Sequence, residues 1–444
     1  MAKRSRVPAS RLGRLARLGL TAGELAAGGL SEQVRRLRDK DQESDGSIWL
    51  TPGNARRLAQ RLASMRGAAM KMGQLLSMEG ADLLPREFAD ALAVLRDAGD
   101  TMTLTQLRRV LGRAYGRGWE ARFMDFDYFP LAAASIGQVH RARSEDGRDM
   151  ALKIQYPGVA RSIGSDIDNL AAFLRLARLV PAELDLKDFV REAKRQLRQE
   201  ADYEAEASYL ERYAALIADQ PEFLVPRVHR DYSTRQVLAM DYVTGEPLST
   251  LESESVPQAL RDEIGARMEA LVFRELFEFR VVQSDPNFAN YLYQPDTQRI
   301  VLLDFGSTIE LEQGFAQHYA RLALALMESD WSAARDHAMA IGYLAPDASE
   351  AFVSRILALL ELVCEPLCHP GVYDFGGSDL MQRARSAGFD LAFDGTDEAS
   401  TPPPITLFLH RKLMGSFLLC HRLGARVPVA ELVRPYLQRC IDGG

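Results

Sequence analysis

Several side chains in this sequence could together hold the phosphates of a nucleotide and a metal ion. Lys153 stands in a strand-like stretch, Ala151-Leu-Lys, and a compact ammonium of this kind suits phosphate oxygens. Further along the chain, Asp285 precedes Asn290 by five residues, and an apolar stretch ends at Asp304 in the sequence Asp-Phe-Gly. Carboxylate and amide oxygens are the hard ligands that Mg²⁺ prefers. These residues therefore predict chemistry on a phosphate group bound to a metal ion.

Two further features complete an ordered set. A loop of small residues, Ala132-Ala-Ala-Ser-Ile-Gly-Gln, precedes the lysine, and a helical stretch with four acidic side chains follows it: Glu200, Asp202, Glu204 and Glu206. Asp202 and Glu206 are four residues apart and are expected on one face of a helix, where a carboxylate can pair with Lys153. Each feature alone is common. The order of small-residue loop, strand lysine, acidic helix, aspartate loop and Asp-Phe-Gly is that of a protein-kinase-like fold.

The predicted secondary structure would position these residues. Alternating stretches at 135–142 and 150–154 predict two strands joined by a hairpin at Gly147. Residues 291–303 predict a second hairpin, which would return Asn290 and Asp304 to the same end. The other expected elements are one long amphipathic helix over 186–216, strands at 225–228 and 236–242, and mainly helices from residue 257 onward.

These patterns predict an α+β, protein-kinase-like bilobal fold with a β-rich N-lobe, a helical C-lobe and an N-terminal helical extension. The length of 444 residues allows two or three compact units. The expected parts are a basic amphipathic head at 1–40, a linker at 41–53, the helical extension at 54–122, the N-lobe at 123–244 and the C-lobe at 245–444.

Composition and charge exclude several classes of protein. Four cysteines indicate a reducing compartment rather than a disulfide framework. The net charge is −7 although the first 40 residues carry +7, so the rest of the chain is acidic and no nucleic-acid partner is expected. Leucines and arginines recur at three-residue spacing in this head, which fits an anionic membrane surface and equally the acidic body of the protein itself. No apolar run reaches the roughly 18 residues of a spanning helix.

Longer sequence phrases resemble one family. The phrases are Lys71-Met-Gly-Gln74, Glu200-Ala-Asp202, Lys153-Ile-Gln-Tyr-Pro-Gly-Val, Gln283-Ser-Asp-Pro-Asn and Leu409-His-Arg-Lys-Leu-Met-Gly-Ser-Phe. Together with alanines where ordinary kinases have a glycine-rich phosphate loop, they resemble the UbiB family of atypical kinases, also called ABC-one kinases. The resemblance is closest to the Coq-eight-type subgroup and runs from about Val7 to about Cys440.

The resemblance implies a role for each matching residue. The implied catalytic residues are the catalytic-loop aspartate Asp285, the phosphate-binding Lys153 and its partner Glu206. The implied nucleotide contacts in the loop and strand are Ala133, Ala134, Ser135 and Lys153. The implied hinge residues, which follow the gatekeeper Met240, are Asp241, Tyr242, Val243 and Thr244. Asn290 and Asp304 are also implied nucleotide contacts and would act as the metal ligands. In the family's regulatory motif, Lys71 and Gln74 would lie over the active site, with Lys71 near Glu200 and Asp202.

The resemblance also implies an activity. We expect a kinase-like ATPase that binds ATP or ADP with Mg²⁺ and supports ubiquinone (coenzyme Q) biosynthesis. It would phosphorylate proteins in trans little or not at all, because the family's helical extension occludes the groove for a protein substrate. Three alternatives stay open: a nucleotide-binding scaffold, a module that extracts lipids for quinone-biosynthesis enzymes, and a true protein kinase.

The expected partners are ATP, an anionic membrane surface, and quinone-biosynthesis enzymes or lipid precursors, and the sequence does not define the oligomeric state. The family alignment begins so early that no transit peptide would fit, which favours a bacterial, cytoplasmic protein lying peripherally at the inner membrane.

A few other residues have side chains suited to chemistry, but the sequence assigns them no catalytic or metal-binding role. Cys364, Cys368 and His369 have metal-ligating types, but no second ligand pair follows at a suitable spacing, so we interpret the cysteines as structural. Lysine is scarce, with seven among the 54 basic residues, so a lysine in this chain can mark a position that needs a compact ammonium rather than a guanidinium. Lys412, in the last of the family phrases, receives no chemical role from the sequence.

Overall fold

The computed structural model describes residues 101–176, 186–393 and 403–443. The chain divides into two compact units. One contains the described residues up to Ser208 together with Pro226–Val243, and the other contains Tyr209–Val225 and the described residues from Thr244 onward. The domain boundaries expected from the sequence stay predictions, and those before residue 101 lie outside the described residues.

The helices and strands of the described residues are numbered here in chain order. The α-helices are α1 (Leu104–Ala114), α2 (Val159–Leu176), α3 (Leu186–Glu200), α4 (Tyr203–Leu216), α5 (Gln258–Arg274), α6 (Gln313–Met327), α7 (Trp331–Ile341), α8 (Glu350–Val363), α9 (Glu365–Cys368), α10 (Leu380–Phe393), α11 (Pro404–Leu423) and α12 (Val429–Asp442). The strands are β1 (Phe123–Phe126), β2 (Ala132–Ala133), β3 (Gly137–Ser144), β4 (Asp149–Gln155), β5 (Phe223–Leu224), β6 (Val237–Asp241), β7 (Glu246–Pro247), β8 (Val281–Gln283), β9 (Tyr291–Gln294), β10 (Arg299–Leu302), β11 (Thr308–Glu310), β12 (Tyr373–Asp374) and β13 (Arg426–Val427).

The first unit is built on an antiparallel sheet in the order β1-β3-β4-β6, with β2 paired to β3. The hairpin predicted around Gly147 is present as β3 and β4, and this glycine has a φ of +89°, which few other residues adopt easily. Met150, Leu152 and Ile154 enter the hydrophobic core from one face of β4. Because side chains alternate along a strand, Lys153 points to the opposite face.

The acidic helix differs from its prediction. One helix was expected over 186–216, and the structure has two, α3 and α4, separated at residues 201 and 202. Asp202 accounts for the break, because its Oδ1 accepts a hydrogen bond from the backbone N–H of Ala205 at 3.0 Å and so caps the start of α4. Aspartate is a strong N-cap, and its side chain satisfies a donor that the first helical turn leaves unpaired.

One predicted strand is misplaced. The expected strand at 225–228 is instead the short β5, which pairs in parallel with β10, while Val228 forms only an isolated bridge to Met240. Pro226 lies between them and cannot donate to a strand ladder, which explains the interruption. The strand expected at 236–242 is present as β6.

The second unit is mainly helical, as expected, and it contains the predicted hairpin at 291–303. Strands β9 and β10 pair antiparallel within a sheet of order β5-β10-β9-β7. Two small antiparallel pairs, β8 with β11 and β12 with β13, were not predicted, because strands of two or three residues carry too little alternation to be recognised. In the described parts of the chain, no helix is both long enough and apolar enough to cross a membrane.

Candidate active site

The first unit contains an enclosed ion pair between Lys153 on β4 and Glu206 on α4. Lys153 Nζ lies 2.7 Å from Glu206 Oε1, and the side chains are 10% and 0% exposed. The ammonium also lies 5.4 Å from the ring centre of Tyr203, the first residue of α4. This is the pairing that the family resemblance implied. Removing one partner of such a pair leaves an uncompensated charge, so the two positions depend on each other.

The small-residue loop is fixed at both of its ends. Ala132 and Ala133 lie in β2, opposite Val139 and Gln138 of β3. Ser135 Oγ donates a hydrogen bond to Glu200 Oε2 at 2.8 Å, so the loop is tied to the last residue of α3.

Backbone conformation in this loop follows from its composition. Ala134 donates its backbone N–H to the carbonyl of Gly137 at 2.9 Å, and none of the alanines has a positive φ. Alanine avoids positive φ whereas glycine does not, so the loop is stiffer than a glycine-rich one.

The predicted hinge follows β6 directly. Met240 is 5% exposed and pairs with Ala151 in the sheet. Asp241 Oδ1 accepts a hydrogen bond from His229 Nε2 at 2.8 Å, and the backbone N–H of Tyr242 donates to the carbonyl of Asp149. These bonds are within the first unit.

The last two hinge residues are more accessible. Val243 is half-buried and Thr244 is exposed, and the Thr244 carbonyl accepts a hydrogen bond from Gln294 Nε2 at 2.7 Å. An adenine-binding role for the four hinge residues stays a prediction.

The second unit brings together the aspartate loop and the Asp-Phe-Gly sequence. Gln283 Nε2 donates hydrogen bonds to the backbone carbonyls of Asp285, at 2.8 Å, and Asp304, at 3.2 Å. Asn290 Nδ2 donates to the Asp285 carbonyl at 2.9 Å, and the N–H of Leu303 donates to the Asn290 carbonyl. The β9–β10 hairpin thus returns Asn290 and Asp304 to one end, as the sequence predicted.

Phe305 of the Asp-Phe-Gly sequence is held in the core of the second unit. Its ring centre lies 4.6 Å from that of Tyr213 on α4, and Phe305 is 1% exposed. The Asp304 side chain in turn accepts a hydrogen bond from the N–H of Gly306 at 2.9 Å. Packing of Phe305 and the hydrogen bond from Gly306 therefore fix the chain that follows Asp304.

The donor set at this end of the hairpin fits Mg²⁺. Because Asn290 Nδ2 is committed to the Asp285 carbonyl, Oδ1 is the amide atom left to ligate, and Asp304 supplies a carboxylate. The described residues contain no group of three or more His, Cys, Asp or Glu side chains suited to a metal ion. Mg²⁺ fits this sparse set, since it commonly takes one or two protein oxygens and completes its shell with water and substrate phosphates.

The buried phenol of Tyr291 lies near the carboxylates at the same place. Tyr291 is buried at the start of β9, and its pKa is raised well above the usual value, first by burial and then by the negative charges of Glu275, Asp285 and Asp304. Two carboxylates of the predicted site therefore act on one phenol. Asp285 and Glu275 are themselves paired with the cationic side chains of Arg411 and Lys412.

Two neighbouring residues of α11 take part in this region and were missed by sequence reasoning. Arg411 Nη2 donates to Asp285 Oδ1 in an ion pair. Lys412 Nζ lies 2.6 Å from Glu275 Oε2, and both side chains are almost fully buried. The sequence signal was present, because both residues belong to the phrase that begins at Leu409, but nothing local indicated their partners.

Two groups of predicted residues remain: the regulatory-motif residues before residue 101 and the cysteines of the second unit. Lys71 and Gln74 lie outside the described residues. The cysteines fit the structural interpretation, because Cys364 and Cys368 pack against a hydrophobic cluster, and burial raises the pKa of the Cys364 thiol to about 12. The catalytic and binding roles of all the site residues stay predictions.

The comparison with known families is decisive. Residues 94–338 match the family model described as the ABC1 atypical kinase-like domain. This chain belongs to the ABC1 atypical kinase-like family. The chain is 36% identical over 444 residues to "Atypical kinase COQ8, mitochondrial" of Schizosaccharomyces pombe, covering 99% of this chain and 71% of the relative. It is 35% identical over 436 residues to "Atypical kinase COQ8B, mitochondrial" of Rattus norvegicus, covering 98% of this chain and 82% of the relative.

A solved structure supports the fold of this chain. The complex of Rv3197 with erythromycin from Mycobacterium tuberculosis matches with a TM-score of 0.58 at 25% sequence identity, covering 86% of this chain and 94% of that one. The predicted family and the α+β kinase-like fold are confirmed. The chain is accordingly a kinase-like enzyme.

Proposed function

We propose that this chain binds Mg-ATP and hydrolyses it in support of ubiquinone biosynthesis. The observation that carries the proposal is the ion pair between Lys153 and Glu206, which holds an ammonium in place before any phosphate arrives. Phosphoryl chemistry depends mainly on positioning and charge neutralisation, and the preformed pair positions the ammonium that would meet the phosphates. The similarity to proteins named COQ8 supports the biological context.

Each part of the site has a proposed task. Lys153 binds the phosphates, and the loop residues Ala133, Ala134 and Ser135 cover them. Residues 241–244 contact the base. Asn290 and Asp304 hold Mg²⁺, which when bound neutralises charge on the phosphate oxygens. Asp285 orients the attacking oxygen by accepting its hydrogen bond.

We further propose that water, rather than a protein hydroxyl, is the usual acceptor of the phosphoryl group. The family resemblance supports this, because it implies that the helical extension with Lys71 and Gln74 covers the groove for a protein substrate. A position at a membrane surface is proposed on two grounds, the basic head of +7 in residues 1–40 and the membrane-borne character of quinone precursors.

Phosphate release from Mg-ATP tests the proposal. The full chain is assayed with and without anionic liposomes and a phenolic analogue of a quinone precursor. Asp304→Asn removes a proposed metal ligand, and we expect turnover to fall at least about a hundredfold. Asp296→Asn is the matched control, because this exposed aspartate lies in the turn at the other end of the same hairpin, and wild-type turnover is expected.

Each other outcome has a distinct meaning. A chain that binds no Mg-ATP would overturn the proposal. Binding without turnover would favour the scaffold, and efficient transfer of labelled phosphate to a protein acceptor would favour a true protein kinase. Turnover that is stimulated by liposomes together with the phenol would support the lipid-linked role.

A further inference from the structure

We propose that Arg411 on α11 is a positioning residue that orients the carboxylate of Asp285. This inference rests on the proposed function, since it concerns the same aspartate. Arg411 is 7% exposed and Asp285 is 22% exposed, and Nη2 of the arginine donates to Oδ1 of the aspartate. Hydrogen bonds between a guanidinium and a carboxylate are among the stronger and more directional ones in proteins.

Arg411 supplies what the aspartate loop itself does not. The loop residues Gln283 and Asn290 both donate to the backbone carbonyl of Asp285, so they fix the main chain. They leave the rotation of the carboxyl group undetermined. The guanidinium of Arg411 engages Oδ1, which determines the direction of Oδ2 as well because the carboxylate is planar.

Helix α11 is itself held firmly against this loop. Lys412, the next residue, is paired with Glu275, and Glu275 Oε1 also accepts a hydrogen bond from the hydroxyl of Tyr213 at 2.6 Å. One turn further on, Gly415 touches Pro286, the residue after Asp285, so closely that a Cβ at position 415 would overlap the proline ring. The guanidinium is therefore presented from a rigid element rather than from a mobile surface.

The physical reason for such a device is the sensitivity of phosphoryl transfer to alignment. An acceptor oxygen must be held about 3 Å from the phosphorus and in line with the leaving group, and small errors of position cost large factors in rate. A carboxylate with one oxygen bonded to Arg411 presents its other oxygen in one direction only. Lysine in place of arginine would keep the charge, but its flexible ammonium lacks the fixed planar donor geometry of the guanidinium.

Steady-state kinetics of Mg-ATP hydrolysis by the full chain test the inference. We expect Arg411→Gln to lower kcat by about tenfold or more and to change KM less than about threefold, because alignment and not binding is lost. Arg411→Lys should recover part of kcat. Arg434→Gln is the matched control, because Arg434 on α12 pairs with Glu328 at the surface, and it should behave as the wild type.

A second background separates positioning from general structural damage. In Asp285→Asn, the further change Arg411→Gln should cause no additional loss of kcat, since there is no longer a carboxylate to orient. An equal loss in both backgrounds, or an unchanged kcat in Arg411→Gln, would overturn the inference. Should the glutamine variant not fold, Arg411→Lys decides alone, with a lowered kcat at unchanged KM expected and a wild-type kcat contradicting it. A wild-type chain without ATP turnover would instead contradict the proposed function.

Discussion

Lys412 and Glu275 form an ion pair that is almost completely enclosed. The two charged atoms are 2.6 Å apart, and the side chains are 2% and 1% exposed. Burial raises the pKa of Glu275, whereas the nearby Lys412 ammonium acts in the opposite direction. Lys412 and Lys153, two of the few lysines in this arginine-rich chain, are thus both enclosed beside a glutamate.

Loss of the Lys412 charge should destabilise the protein strongly. Lys412→Met leaves Glu275 buried without its partner, and we expect the free energy of unfolding in urea to fall by about 3–5 kcal/mol. Lys187→Met, at an exposed position of α3, should change it by less than about 0.5 kcal/mol. Adding Glu275→Gln to Lys412→Met should restore part of the loss. A single variant as stable as the wild type would show that the pair contributes nothing.

Replacement of Lys153 by arginine should weaken nucleotide binding although the charge is kept. The site between Glu206 and Tyr203 accommodates a compact ammonium, and a planar guanidinium has a different shape and a different hydration. We expect the affinity for Mg-ATP, measured by calorimetry, to fall about tenfold or more, which is about 1.4 kcal/mol. Lys187→Arg serves as the control and should bind as the wild type does. Equal affinities of the two variants for Mg-ATP would contradict the proposal that Lys153 binds the phosphates.

A methyl group at position 415 should disturb the aspartate loop. Alanine normally stabilises a helix interior by up to about 1 kcal/mol relative to glycine. At Gly415 on α11 the added Cβ would overlap Pro286, so we expect Gly415→Ala to lower both the melting temperature and the rate of ATP hydrolysis. At Gly388 on α10, no described atom outside the helix's own backbone and the two adjacent residues lies within 4 Å of the corresponding position, so Gly388→Ala should be neutral or stabilising. If both variants were stabilised, α11 would not be packed as tightly on the loop as the structure indicates.

Buried Glu269 on α5 should make stability depend on pH. Burial raises its pKa from the usual 4.5 to about 7, and the Cys420 thiol donates a hydrogen bond to its Oε1 at 3.4 Å. Between these two values the folded protein keeps a proton that the unfolded chain has lost, so this group makes the protein less stable as the pH rises from about 4.5 to about 7. The slope has an upper limit of about 1.4 kcal/mol per pH unit.

The neutral variant Glu269→Gln tests this pH dependence. Its free energy of unfolding relative to the wild type should increase between pH 5 and pH 8, measured by urea unfolding at each pH. Glu263→Gln, on the same helix with a side chain that is 50% exposed, is the comparison variant. A difference between Glu269→Gln and the wild type that stays constant over this pH range would refute the assignment.

Local pattern was enough to predict the parts of the site that lie in regular elements. The β3–β4 strands around Lys153 and the β9–β10 hairpin between Asn290 and Asp304 follow from alternation and turn residues. The break before α4 was missed because Asp202 was interpreted as a member of a helix face rather than as a cap. The partners of Arg411 and Lys412 were beyond reach, since each lies more than 120 residues away in the chain and only tertiary packing joins them.

Strand β6 belongs to the first unit, although residues 209–225 of the second unit precede it in the chain. A fragment that ended at Ser208 would lack this strand, so β4 would keep β3 on one edge but lose its partner on the other edge, at Met150–Ile154. An exposed, apolar strand edge invites pairing between molecules, so such a fragment should aggregate rather than fold. A single cut in the gene therefore separates neither unit cleanly from the other, and a soluble fragment that carries Lys153 must retain Val237–Asp241.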